Sequence, residues 1–434
     1  MKSSVEFRDG KILMKFENEN ADRLLQSDLP FKMNEIEIFF DLDGKIKPHE
    51  VHPDLLALST ILLCNPFVGE ELSLPVPVSE EFHKKAQSVI SRYKLTPNTN
   101  SEISNINKTG GSFPGLAFSG GADSSAALAI MPSETIPIFL NRPIAKGSSY
   151  NSEAPLEICK ELSDVGYDVQ VISTNLEYIR TPVGFPTDLA NAIPAILLSE
   201  YLNLDSLAFG TIMESGFGLG HSKFIDYGRG AHWRFYSTLF DSVGIELSMP
   251  VIGVSEIGTA IIGEKSPLGH YSQSCIRGGW GKPCMRCWKC FRKELLAFSL
   301  GGVGGQNFLD MMKTNEVQKK LSEFPISHEN VVAYALQRIE LSDFPYLKPI
   351  ADKLDMSIDL SLLETWYPGS IDFVPSKNRH GIREKIIEYL PIMNPTQENV
   401  LKTWDMRPHL DSEKARRGQE KLTSFWQDLS IRFG

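Results

Sequence analysis

The sequence predicts an α/β protein built on a doubly wound parallel sheet, with an α+β region before it and a mainly helical region after it. Three observations lead there. Between residue 112 and about residue 300, short apolar runs alternate with helical patterns, and repeated strand–helix units imply parallel strands covered by helices. Before residue 108, apolar residues alternate in short runs split by Asp-Gly. After residue 301 the apolar spacing is helical and is interrupted by Pro345, Pro368, Pro375, Pro391 and Pro395.

In chain order, residues 5–7 and 12–16 flank Asp9-Gly10, and residues 36–40 and 44–46 flank Asp43-Gly44. Both arrangements signal hairpins. Helices are expected at 55–63 and 80–93. The polar, turn-rich stretch 95–111 reads as a linker. It divides the chain into an accessory α+β domain (1–108), a central domain (109–300) and a helical region (301–434). Central strands are expected at 115–118, 135–140, 168–172 and 207–209, with helices at 124–130, 153–162 and 189–201. The clearest later helices are 331–339, 382–389 and 412–425. The glycine-rich residues 215–221 read as a mobile lid or a plain loop.

With 434 residues, 42% hydrophobic and 23% charged, the chain can bury a substantial core without disulfides. Its net charge of −10 and the absence of a basic stripe argue against direct nucleic-acid binding. No run approaches the ~18 apolar residues of a membrane span, and the N-terminus has no apolar signal core. A cytoplasmic location is expected. Of six cysteines, Cys64 and Cys159 sit in apolar helical patterns and read as packing residues.

The strongest motif is Phe118-Ser119-Gly120-Gly121-Ala122-Asp123-Ser124-Ser125. An apolar strand runs into Ser-Gly-Gly and a helix follows at once. Glycines let the backbone approach an anion, and the first N–H groups of a helix are unpaired and point outward. Ser119, Ser124 and Ser125 can add hydroxyl donors. Bare phosphate would repel Asp123, which suits it to Mg²⁺. The loop lacks the Gly-Lys-Ser/Thr of a Walker motif.

The second motif joins Cys275 to Cys284-x-x-Cys287-x-x-Cys290. In a cytosolic chain this spacing reads as a metal site. Four thiolates suit structural zinc; an iron–sulfur cluster and four free thiols are the alternatives. Arg277, Lys282, Arg286, Lys289, Arg292 and Lys293 would offset the thiolate charge.

The glycine loop resembles the SGGxDS loop of the N-type ATP pyrophosphatases (the PP-loop, on an adenine-nucleotide alpha-hydrolase-like fold). Loop and cysteines together resemble the 7-cyano-7-deazaguanine synthase (QueC) family over about residues 113–300. The phrase Ser274-Cys275, then Pro283-Cys284-x-x-Cys287-x-x-Cys290-Phe291-Arg292-Lys293, follows that family's ending, and Gly210 follows the fourth strand as in the family. The family's Tyr-Pro-Asp-Cys stretch is replaced here by Gly210 to Gly218, where Glu214 can supply an acidic group.

The resemblance implies ATP, Mg²⁺ and Zn²⁺ as cofactors. It implies adenylation of a small, deazaguanine-like carboxylate with release of pyrophosphate, followed by attack of a nitrogen nucleophile. Phe118, Ser119, Gly120, Gly121, Ala122, Asp123, Ser124, Ser125 and Gly210 would bind the nucleotide. Asp123, Ser119 and Glu214 would act at the reacting centre, and Cys275, Cys284, Cys287 and Cys290 would hold the metal. The added flanking regions resemble those of QueC-like proteins in anti-phage defence, which implies a protein partner whose amine replaces ammonia. A PP-loop sulfur transferase with an iron–sulfur cluster, and an ATP-binding component without catalysis, are the alternatives.

Overall fold

The computed structural model describes residues 1–433 except 43, 45, 47–49, 97–98, 105, 107–112, 221, 303–304 and 306. Asp43 and Lys45 of the second expected hairpin, much of the expected linker and His221 lie outside the described residues.

Among the described residues ten strands form one sheet and two more form a small ribbon. In chain order the strands are β1 (Lys2–Arg8), β2 (Lys11–Glu17), β3 (Lys32–Met33), β4 (Glu37–Asp41), β5 (Glu71–Ser73), β6 (Lys94–Thr96), β7 (Phe113–Phe118), β8 (Ile136–Asn141), β9 (Gln170–Thr174), β10 (Arg180–Thr181), β11 (Leu204–Phe209) and β12 (Glu246–Ser248). The large sheet runs β12-β11-β7-β8-β9-β4-β2-β1-β5-β6, and β3 pairs with β10.

The half from β12 to β9 is wholly parallel. Counting its strands one to five along the chain, their order in space is 3-2-1-4-5. The order therefore reverses between β7 and β11. Such a reversal opens a crevice at the strands' carboxyl ends, where ligands bind in doubly wound sheets. Helices cover both faces, as the strand–helix alternation predicts. Along β7, Leu116 and Phe118 join one buried cluster with the helices Ala122–Ile130 and Glu153–Asp164. Ala117 joins another with the helices Pro53–Cys64 and Ile193–Leu198. This is the two-residue alternation of a strand buried on both faces.

The first hundred residues extend the same sheet. Strand β4 pairs antiparallel with β9 through Phe40↔Thr174 and Asp41↔Ser173. β2 and β1 follow as a hairpin whose turn residues Asp9 and Gly10 have φ of 53° and 75°, the left-handed pair that the Asp-Gly signal demands. The expected helix 189–201 is a short 3-10 turn, Ala190–Ala192, followed by Ile193–Leu198, with Pro194 in its first turn. Cys64 and Cys159 are buried at 0% and 2% exposure, as packing residues should be.

Described residues after 306 form helices and 3-10 turns and add no strand to the sheet. They pack closely against the central part. Helix Arg379–Tyr389 lies on the helices Ala122–Ile130 and Glu256–Lys265, and helix Glu329–Gln337 on helix Trp288–Ser299. The glycine-rich segment after β11 begins as the short helix Met213–Phe217, ends it with Gly218 in the left-handed conformation, and is followed by residues tied to the C-terminal region. Phe224 N–H donates to Trp404 O and Met406 N–H to Ser222 O, both at 2.8 Å. Among the described residues no helix is long and apolar enough to cross a membrane.

Candidate anion loop and metal centre

Strand β7 delivers Ser119, Gly120 and Gly121 to the crevice beside β11, and helix Ala122–Ile130 starts there. Gly120 has φ +71°, a conformation that favours glycine. Its carbonyl turns back and accepts Gln273 N–H at 2.8 Å. Side chains fix the loop's shape. Ser119 Oγ accepts Gly121 N–H at 3.3 Å and lies 3.0 Å from Ser124 Oγ. Ser124 Oγ donates to Gly121 O at 3.1 Å, and Ser125 Oγ to Tyr271 O at 3.2 Å. The buried serines 124 and 125 therefore brace the loop rather than offering their hydroxyls outward, while Ser119 stays exposed. Phe118 is 3% exposed and its ring belongs to the core, so only its backbone borders the loop. At Gly210 a Cβ would fall 2.8 Å from Ser124 N and 3.0 Å from Asp123 C. Glycine there lets the end of β11 meet the loop helix.

Asp123 faces helix Glu256–Lys265. Thr259 Oγ1 donates to its Oδ1 at 2.9 Å and also lies 3.0 Å from Glu256 O. Burial raises the Asp123 carboxyl above its ordinary value, and the Lys293 charge pulls against that rise. Glu256 is 2% exposed. Its Oε1 accepts from Arg292 Nε at 3.0 Å and from Lys293 Nζ at 2.9 Å. Burial opposes its ionisation, but Lys293 and then Arg292 outweigh that and hold the carboxyl at about 2. Arg292 and Lys293, expected to offset the thiolates, thus serve Glu256, while Arg277 pairs with Glu316.

Glu214 is 4% exposed. Both of its oxygens accept Glu256 N–H, at 3.2 and 3.1 Å, and Oε1 accepts Asn330 Nδ2 at 2.9 Å. Glu214 therefore stands behind Glu256, capping a helix, and not beside the glycine loop. Burial first, then the Glu256 charge, raises it to about 7.

The four cysteines converge. All four sulfurs lie within 4.8 Å of one another, with Cys284–Cys290 at 3.7 Å and Cys287–Cys290 at 3.5 Å. Cys284 N–H points at Cys275 Sγ and Cys290 N–H at Cys287 Sγ, at 3.3 and 3.4 Å, and such donors favour thiolates. Zinc–sulfur bonds of ~2.3 Å place tetrahedral sulfurs about 3.8 Å apart. The spacing therefore fits one ion shared by four thiolates. A cluster that sets a separate iron at each thiolate spreads the sulfurs farther. The group is positioned to bind a metal such as zinc.

Loop and metal centre share a wall. A cavity of about 590 Å³ is lined by Ala122, Ser274, Cys275, Lys289, Cys290 and Lys293, among others. Ser274 Oγ accepts Ala122 N–H at 3.4 Å. The structure thus brings together the glycine loop, Gly210 and the cysteines. It adds Thr259, Glu256, Gln273 and Asn330, which the sequence reading missed. Glu256, Thr259 and Asn330 are lone polar residues far from the motifs in sequence, whereas Gln273 lies two residues before Cys275, where spacing alone gives it no role. Ser255, whose side chain caps the helix by accepting Gly258 N–H at 3.0 Å, was the available signal for the helix that carries Glu256 and Thr259.

Residues 235–405 match a protein family described as a family of unknown function, DUF6395. That stretch contains the cysteines, Glu256 and Lys293 but not the glycine loop. The chain matches no curated protein and no solved structure.

Proposed function

We propose that the protein is an ATP-dependent ligase, similar to 7-cyano-7-deazaguanine synthase, that adenylates a small carboxylate and joins it to a nitrogen nucleophile. The observation that carries this reading is the Ser-Gly-Gly-x-Asp-Ser loop at the point where the parallel strand order reverses, with Asp123 and Lys293 beside it. A carboxylate is a poor acyl donor until its oxygen becomes part of a leaving group. Its oxygen attacks the α-phosphorus of ATP, and the bond to pyrophosphate breaks. The nitrogen then attacks the carbonyl carbon, and AMP departs with the original carboxylate oxygen.

Most of this work is positioning and charge neutralisation. The N–H groups at the start of helix Ala122–Ile130 would hold the departing pyrophosphate, with Ser119 and Lys293 alongside. Thr259 engages one oxygen of Asp123, and the other would be the ligand for a divalent ion. Mg²⁺, when bound, would supply the positive charge that phosphate transfer requires. Zinc at the cysteines would supply a fixed node of the fold. The nucleophile is ammonia or a protein amine, and the flanking regions are the surfaces available to grip a protein partner in a defence system.

The test uses carboxylates such as 7-carboxy-7-deazaguanine labelled with ¹⁸O in the carboxylate. Pyrophosphate should appear only with the substrate, one label should pass into AMP, and Asp123→Asn should abolish both. Tight binding of Mg-ATP with no turnover on any carboxylate would instead make this a nucleotide-binding component.

A further inference from the structure

Between the metal loop and the glycine loop runs one short segment, Tyr271 to Cys275, and its contacts point both ways. On one side Gln273 N–H donates to Gly120 O at 2.8 Å, Ser274 Oγ accepts Ala122 N–H, and Tyr271 O accepts Ser125 Oγ. On the other side the Gln273 amide is fully engaged by the cysteine loop. Its Nε2 donates to Cys275 O at 3.2 Å and Gly279 O at 3.0 Å, while its Oε1 accepts Gly281 N–H at 3.0 Å. The cysteine loop has little regular structure to hold it. Its one internal bridge joins Gly279 and Lys282, and from outside it is held at Ile276 O by Asn151 N–H, at Trp280 by Glu161 and at Arg277 by Glu316, so a metal ion shared by Cys275, Cys284, Cys287 and Cys290 would be the restraint that joins its two ends.

We infer that Gln273 is a positioning residue that couples the four-cysteine metal centre to the glycine loop, so that metal occupancy controls the loop's hold on phosphate. With the metal in place, Gln273 is clamped on three backbone groups, and its own N–H holds Gly120 in the left-handed conformation that presents the helix N-terminus. Loss of the metal frees Cys275 and the Gly279–Gly281 turn. The restraint on Gly120 goes with them. A rigid loop presents its donors without reorganising, whereas a loosened loop must first be ordered by its ligand. The consequence for catalysis rests on the ATP-dependent reading above. The coupling itself does not.

The test is amide hydrogen exchange of the peptide covering residues 116–126, in wild type and Gln273→Ala, with metal content measured on the same samples. Gln273→Ala should keep one metal per chain, leave exchange in helix Glu329–Gln337 unchanged, and speed exchange in the loop. It should weaken Mg-ATP binding on the order of tenfold, a usual size for coupling between sites. Gln273→Glu, which sets a carboxylate oxygen against Cys275 O and Gly279 O, should loosen the loop at least as much. Removing the metal from wild type should loosen the loop, and removing it from Gln273→Ala should add little. Loop exchange equal to wild type in a metal-loaded Gln273→Ala protein overturns the inference. If wild type binds no nucleotide, the ATP-dependent reading fails, and the exchange data still decide the coupling.

Discussion

At the residue scale, the main actors are carboxyl groups whose surroundings push them apart. Glu256 and Glu214 are both buried and adjacent, yet Glu256 sits at about 2 against two cations and Glu214 at about 7 without one. Raised from 4.5, Glu214 binds its proton more tightly in the folded chain than in the unfolded one. The folded state is penalised wherever Glu214 must ionise. That penalty is absent below pH 4.5, grows between 4.5 and about 7, and is complete above 7. The gap corresponds to at most about 3 kcal/mol. Glu214→Gln keeps the shape and the Oε1 acceptor that serves both Glu256 N–H and Asn330. Its melting temperature relative to wild type should rise with pH across that window and level off above it. A difference independent of pH would mean that Glu214 is ionised throughout. None of this was legible in the sequence. Glu214, Glu256 and Asn330 meet through folding, and no local spacing announces them. The turn of the glycine loop and the convergence of the cysteines were legible because each is set within a short stretch of chain, where backbone geometry alone constrains residue type.

At the scale of elements, the cysteine turn and helix Trp288–Ser299 form one unit, since Cys287 caps that helix by accepting Cys290 N–H. Purified protein should carry one zinc per chain, be colourless, and show four sulfur neighbours at about 2.3 Å by X-ray absorption. Cys287→Ser should lose the metal and unfold at markedly lower temperature, because structural zinc carries ~10–16 kcal/mol of apparent binding energy at neutral pH. Brown protein with several irons per chain would overturn the single-ion reading. Elements with strong periodicity or turn chemistry were foreseeable, among them the β1–β2 hairpin, β7 to β9 and helix Glu153–Asp164. The three-residue strands β5, β6 and β12 were not. A run that short has no period to detect, and pairing with neighbours defines it.

At the scale of the whole molecule, the flanking regions are built into the centre. Glu316 pairs with Arg277 and accepts Trp288 N–H at 3.1 Å, so it braces the cysteine turn from outside. Asn330 reaches Glu214. A chain ending at residue 300 loses both contacts and uncovers the buried faces of helices Trp288–Ser299 and Glu256–Lys265. It should be insoluble, or soluble without a cooperative melting transition. A well-folded, zinc-loaded 1–300 fragment would show that the helical region is an independent appendage. Sequence reading divided the chain at a polar stretch and a change of periodicity. The pairing of Phe40 with Thr174, which crosses the first division, left no local trace.

That pairing has a further consequence. An open row of backbone N–H and C=O groups on a five-residue strand is a template for another chain to add to. Without β4, strand β9 would offer such a row at the border of the parallel half. Strand β4 pairs with its last two residues, Ser173 and Thr174, and the N-terminal strands carry the described sheet on to β6, which like β12 at the opposite end is only three residues long. Strands that short give an intruder little to zip onto. A chain that lacks the N-terminal strands should therefore self-associate through β9 more readily than the whole chain does.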